Sequence, residues 1–172
     1  MLFTTHAITG ATIGILSGNP LLGFGLGVLS HHILDAIPHF DQGSLYIDKD
    51  RGPIWLGAKY EEKQKFKVRR DWIILFADWA VSGAIFLYLL IRLPISFWPL
   101  LICGGIGGLL TDILDVSPFW KNKFRATRFG KLYHKLHNFL HWPLSGKLWY
   151  LGLTIQIAIV ATGLALIRKF LV

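Results

Sequence analysis

The 172-residue chain is 53% hydrophobic and 16% charged, with a mean hydropathy of +0.49 and a net charge of +8. Soluble domains carry roughly 25% charged residues, so a surface that faces water on all sides is excluded, and residues 1–172 are expected to form one membrane domain. Basic loops against anionic headgroups account for 18 Lys+Arg against 10 Asp+Glu; membrane lipids are the expected partners and nucleic acid is not.

The elements follow in chain order. Residues 2–16 are apolar, with no basic segment or small-residue cleavage pattern ahead of them, and read as a retained helix rather than a cleaved signal. Ser17-Gly18-Asn19-Pro20 predicts a turn, with Asn19 as N-cap and Pro20 at the first helical position of a second segment, 20–37. At 1.5 Å per residue these segments reach roughly 22 and 27 Å, short for full spans and compatible with a hairpin buried among other helices. Segments 71–91, 98–114 and 148–167 are long enough to cross. The expected fold class is all-α: a polytopic membrane bundle of about five hydrophobic helices. The single cysteine, Cys103, excludes an intrachain disulfide and a cysteine-rich metal site.

Loops 39–70 and 119–147 hold fifteen of the eighteen Lys and Arg. The positive-inside rule places both in the cytoplasm, with the N-terminus inside and the chain in the inner membrane. Arg168 and Lys169 run against that rule. An internal match supports two helical-hairpin repeats, 2–38 and 71–118. His32-Ile33-Leu34-Asp35-Ala36-Ile37-Pro38 lies over Asp112-Ile113-Leu114-Asp115-Val116-Ser117-Pro118, and Gly25-x-Gly27 over Gly105-x-Gly107. The glycines also have a simpler meaning, since small residues let membrane helices pack closely. Trp72, Trp98, Trp120, Trp142 and Trp149 fall near predicted helix ends, as interfacial belt residues do.

Ionisable residues inside membrane helices cost roughly 2.5–3.5 kcal/mol each at the centre. His6 lies early in the first segment; His31, His32 and Asp35 close the second; Asp78 lies in the third; Asp112 and Asp115 close the fourth. The orientation derived from Lys and Arg alone puts all of them at the inner boundary. His31 and Asp35 are spaced i, i+4, and Asp112 and Asp115 i, i+3, so each pair shares a helix face. His134, His137 and His141 form a stripe on a short amphipathic helix in the second basic loop. Imidazole with carboxylate suits a divalent metal, Zn²⁺ first, Mn²⁺ or Fe²⁺ next. The expected ligands are His6, His31 or His32, Asp35, Asp78, Asp112 and His137. Asp115 serves as a further ligand or general base, and it and His137 stand closest to the chemistry. Such a set could hold two ions and suits hydrolysis of a phosphoester or amide. The same residues would also serve as a His–Asp network that only joins helices, or as ligands in a metal transporter. A transporter needs polar groups past the midplane, and the outer helix halves have none.

Thr5-His6-Ala7-x-x-Gly10, the run from Leu29 through His31 and Asp35 to His39-Phe40-Asp41, and Leu109-Leu110-Thr111-Asp112-Ile113-Leu114-Asp115 resemble the bacterial membrane-bound metal-dependent hydrolases, which include LexA-regulated inner-membrane hydrolases. The resemblance covers segments one, two and four and implies His6, His31, Asp35 and Asp112 as metal ligands or their neighbours. Thr111 stands where that family has proline. The family's His-Arg-Gly-x-x-His-Ser segment is absent, with Lys131-Leu132-Tyr133-His134-x-x-His137 as the nearest equivalent. The implied activity is hydrolysis at headgroup depth, with a lipid or lipid-linked phosphoester as substrate.

Overall fold

A computed structural model describes residues 1–41, 44, 55, 69–117, 119–144 and 148–171. Most of the basic loop 39–70, including the charged run 61–68, lies outside the described residues. The described residues are helical, without strands. The helices are α1 (Phe3–Ser17), α2 (Pro20–Asp35), α3 (Arg69–Arg92), α4 (Trp98–Thr111), α5 (Lys121–Ala126), α6 (Arg128–Leu140) and α7 (Trp149–Ile167). A π-helical turn, Asp112–Val116, extends α4.

Three helical stretches are long and apolar enough to cross a membrane: Arg69–Arg92, Ile95–Val116 and Trp149–Phe170. At 1.5 Å per residue these 22 to 24 residues reach about 33–36 Å, more than the roughly 30 Å hydrocarbon core. The first two segments, expected among five spans, form helices of 15 and 16 residues and fall short of that length. Their turn forms as the residue types dictate. Gly18 closes α1 at φ 64°, and the Asn19 side chain accepts from the backbone N–H groups of Leu21 and Leu22 at 3.0 and 3.1 Å.

α1 lies at the centre and packs on α2, α3, α4 and α7. Ile8, Ala11 and Ile15 of α1 meet Leu89 and Leu93, Leu101 of α4 and Ile167 of α7 in the apolar core. The seam between α1, α2 and α4 is made of glycine. A Cβ on Gly10 would strike the Gly104 carbonyl, one on Gly108 the His6 carbonyl, and one on Gly27 the Gly104 carbonyl. Gly10-x-x-x-Gly14, Gly23-x-x-x-Gly27 and Gly104-x-x-x-Gly108 thus bring three backbones into direct contact, where dispersion can drive association without a hydrophobic effect. Outward-facing Leu21, Leu87, Ile91 and Ile157 are exposed, as lipid-facing residues are.

Candidate metal centre

The site is built at one end of the bundle, where α1, α3 and α7 begin and α2 and α4 end. The position of α1 is set first. Leu2 precedes the helix and has no side chain able to cap it, so its free N–H groups are met by other helices. Asp78 of α3 accepts from the Phe3 and Thr4 N–H groups at 2.6 and 3.1 Å and from the Thr4 hydroxyl at 2.6 Å. Gln156 of α7 accepts from the Leu2 N–H at 2.8 Å. A carboxylate is well placed against the positive end of a helix. The structure therefore puts Asp78, a residue expected to bind metal, on the α1 backbone and not with the imidazoles. With α1 held there, His6 faces α2, completely buried.

On α2, His31 and Asp35 share a face as their spacing predicts. His31 Nδ1 lies 2.8 Å from the Gly108 carbonyl oxygen. A carbonyl can only accept, so Nδ1 carries a proton, and it is Nε2 that would be left for a metal in the neutral ring. That Nε2 is 3.4 Å from Asp35 Oδ2 and 4.0 Å from Asp112 Oδ1. The His6 and His31 rings stack with centroids 3.8 Å apart. Both contacts depend on the glycine seam, because a side chain at Gly108 would push α1 away and one at Gly107 would strike the Phe24 backbone of α2.

A second edge comes from the segments that follow α2 and α6. Trp142 N–H donates to the Asp35 carbonyl at 2.8 Å, His39 N–H to Trp142 at 3.2 Å, and Leu144 N–H to His39 at 2.7 Å. The two segments lie parallel there. They rest on α7, where Gly152 leaves room for His39 and Phe40 and the Gln156 amide donates to the Phe40 carbonyl at 3.0 Å. His39 Nδ1 donates to the Ile37 carbonyl at 2.8 Å, which turns its Nε2 inward, 3.2 Å from His141 Nε2 and 3.9 Å from Asp35 Oδ1. His141 Nε2 is 3.7 Å from Asp41 Oδ2 and 4.0 Å from Asp35 Oδ2. Burial, followed by the charge of the Met1 amine, pushes the His39 imidazole down to about 3, so it is neutral.

His137 bridges the two edges. Its Nε2 lies 2.9 Å from Asp35 Oδ2 and its Nδ1 2.8 Å from Asp115 Oδ2. Burial opposes charge on this ring, but hydrogen bonds to Asp115 and Asp35 outweigh it and push the group up to about 9. The π-helical turn spreads Asp112 and Asp115, so they serve different partners. Asp112 faces His31, whereas Asp115 is enclosed by His137, by His134 Nδ1 at 2.8 Å and by the Arg125 guanidinium at 2.8 Å. His32 packs edge-on against His137 and Tyr133 and joins no group of converging donors among the described residues.

The centre of the arrangement is the Asp35 carboxylate. The Nε2 atoms of His6, His31, His39, His137 and His141 all lie within 4.0 Å of it. Three donor sets result: His6, His31 and Asp112; His31, Asp35 and His137; Asp35, His39 and His141. These buried sets could hold a metal ion. Two donor atoms on one tetrahedral zinc at about 2.05 Å lie about 3.3 Å apart. The separations of 3.2 Å for His39 and His141 and 3.4 Å for His31 and Asp35 are close to that edge, while those from His39 and His141 to Asp35, 3.9 and 4.0 Å, are longer. Both ring nitrogens of His6 and Nε2 of His31 are buried without a hydrogen bond among the described residues, and each such atom costs roughly 1–3 kcal/mol unless something satisfies it. The donor sets are also engaged in ion pairs: His6 Nε2 and His31 Nε2 with Asp35, and the Met1 amine with Asp35 at 3.0 Å.

Of the ligands expected from the sequence, His6, His31, Asp35, Asp112 and His137 come together in the structure. His39 and His141 join them without being among those expected. Their signal was the pattern Asp35-x-x-x-His39-x-Asp41 and the end of the histidine stripe, but both lie past helix ends, where periodicity carries no directional information. Compared with protein-family models, with curated proteins and with solved structures, the chain finds no match.

Proposed function

We propose that this chain is a metal-dependent hydrolase of the cytoplasmic membrane, acting at the inner headgroup boundary on a lipid or lipid-linked phosphoester, as the membrane-bound hydrolases it resembles are expected to do. The observation that carries this reading is the convergence of five imidazole Nε2 atoms on the Asp35 carboxylate. Asp35 belongs to two donor sets that would each hold a divalent ion, one with His31 and His137 and the other with His39 and His141. Bound divalent ions would polarise a phosphoryl oxygen and lower the pKa of water.

The chain's own residues do the rest. Gly108 and Ile37 carbonyls fix the tautomers of His31 and His39. Asp115, already enclosed by Arg125 and His134, orients His137 and raises its basicity, as a carboxylate behind a metal-bound histidine does. The Tyr133 hydroxyl bonds Thr111 at 2.7 Å, beside His32.

Elemental analysis of detergent-purified protein tests the centre. We expect zinc, manganese or iron in stoichiometric amount, lost in Asp35→Ala, together with release of phosphate or headgroup from phosphoester lipids. Unchanged metal content in Asp35→Ala would refute the site. The ion pairs favour one other reading, a His–Asp network that only joins helices. That reading expects a chelator to leave the melting temperature unchanged.

A further inference from the structure

α6 has three distinct edges. At about 100° per residue, Phe129, Leu132, Leu136 and Phe139 fall in one narrow arc, and Arg128, Lys131 and Lys135 in the next. Gly130, His134 and His137 occupy the third, which faces the metal centre. The apolar arc is uncovered: Phe129 is 65%, Leu132 69%, Leu136 48% and Phe139 45% exposed. The three basic residues are exposed as well, and the helix carries no Asp or Glu.

Its place in the bundle narrows what can cover that arc. α6 packs on α5, whose Phe124 meets the Phe129 ring edge-on, on α2 and on the π-helical turn that ends α4, so it lies at the boundary end of a spanning helix. Its 13 residues cannot cross a bilayer. A helix with one apolar edge, a cationic edge beside it and a position at the end of membrane spans has the chemistry of an interfacial helix.

We propose that α6 lies in the leaflet surface, with Phe129, Leu132, Leu136 and Phe139 in the acyl boundary and Lys131 and Lys135 on the phosphates of anionic lipids. The occupant is lipid rather than protein because the cationic edge adjoins the apolar one along the whole helix and no acidic residue of α6 offsets it. The arrangement turns the His137 edge inward at headgroup level. It does not depend on a metal being bound.

The test places a bimane fluorophore on Leu132→Cys or Phe139→Cys in a Cys103→Ser background, in the full chain reconstituted in nanodiscs. Brominated-acyl phosphatidylglycerol and phosphatidylcholine serve as quenchers from the lipid and iodide as the quencher from water. Both labels should be quenched by brominated lipid and protected from iodide, as should Ile91→Cys, a 69% exposed position on the spanning α3. Phosphatidylglycerol should be preferred by about fivefold for each lysine near the surface, and Lys131→Glu/Lys135→Glu should remove that preference while the Ile91→Cys control keeps its quenching. Iodide quenching at 132 and 139 would overturn the proposal. So would resistance to both quenchers, which would mean that protein, such as a second copy, covers the helix. No readout uses metal or catalysis, so α6 can be found in lipid while the hydrolase reading fails, or the reverse.

Discussion

Asp115→Asn separates an orienting role for Asp115 from a liganding one. The native carboxylate is fully buried and takes three donors: Arg125 Nε, His134 Nδ1 and His137 Nδ1, each at 2.8 Å. An asparagine keeps the shape but has one oxygen in place of two and adds an N–H₂, so one donor must face another donor. His137 also loses the anion that makes its Nε2 a stronger ligand. Losing such a partner behind a metal-bound histidine costs 10–100-fold in metal affinity, or about 1.4–2.8 kcal/mol. The assay is zinc titration of detergent-purified protein against a competing chelator, with the melting temperature at saturating zinc as the check on folding. Metal stoichiometry should stay that of the native protein while affinity falls within that range. His134→Gln, which leaves the His137 bond in place, should cost less than tenfold. Native affinity in Asp115→Asn, or loss of stoichiometric metal altogether, would refute the orienting role.

Other outcomes follow from the same geometry. Asp78→Ala removes the cap of α1 and should lower stability by about 0.5–2 kcal/mol with metal content unchanged; lost metal at an unchanged melting temperature would instead make Asp78 a ligand. Gly108→Ala drives a methyl into the His6 carbonyl, and overpacking of this kind costs about 1–3 kcal/mol, visible in thermal unfolding, with weaker zinc binding because His6 moves. His137 is raised to about 9 from 6.5 in the metal-free protein. Its contribution to stability is therefore complete below about pH 6.5 and lost as pH rises through 9. The melting temperature of chelator-treated protein should fall across that window, and that fall should vanish in zinc-loaded protein, where the ion replaces the proton on Nε2.

Much of the site could be read from residue types because burying charge is expensive. His6, His31, Asp35, Asp78 and Asp112 stood out as ionisable groups in apolar runs, and all five are buried at one end of the bundle. Depth, however, does not determine neighbours. Asp78 has the depth of a ligand but lies against the first turn of α1, whose missing cap shows only once the helix start is placed at Phe3. His39 and His141 escaped assignment for the opposite reason. Their positions come from the pairing of residue 39 with 142 and 144, a long-range backbone contact with no local pattern behind it. The hairpin turn at Gly18 and Asn19 was legible because its chemistry is local; the short reach of α1 and α2 follows from where that turn and the end of α2 fall.

Gly108 joins two tasks at a single peptide unit. Its missing side chain lets α1 approach α4, and its carbonyl oxygen holds the proton of His31. A slip of α4 by one residue, about 1.5 Å along its axis, would put a different carbonyl opposite that imidazole and move Asp112 with it. Correct insertion of α4 and creation of the donor set are therefore the same event. A chain whose fourth hydrophobic stretch docks out of step loses the set of His6, His31 and Asp112, whereas Asp35, His39 and His141, none of them on α4, stay together.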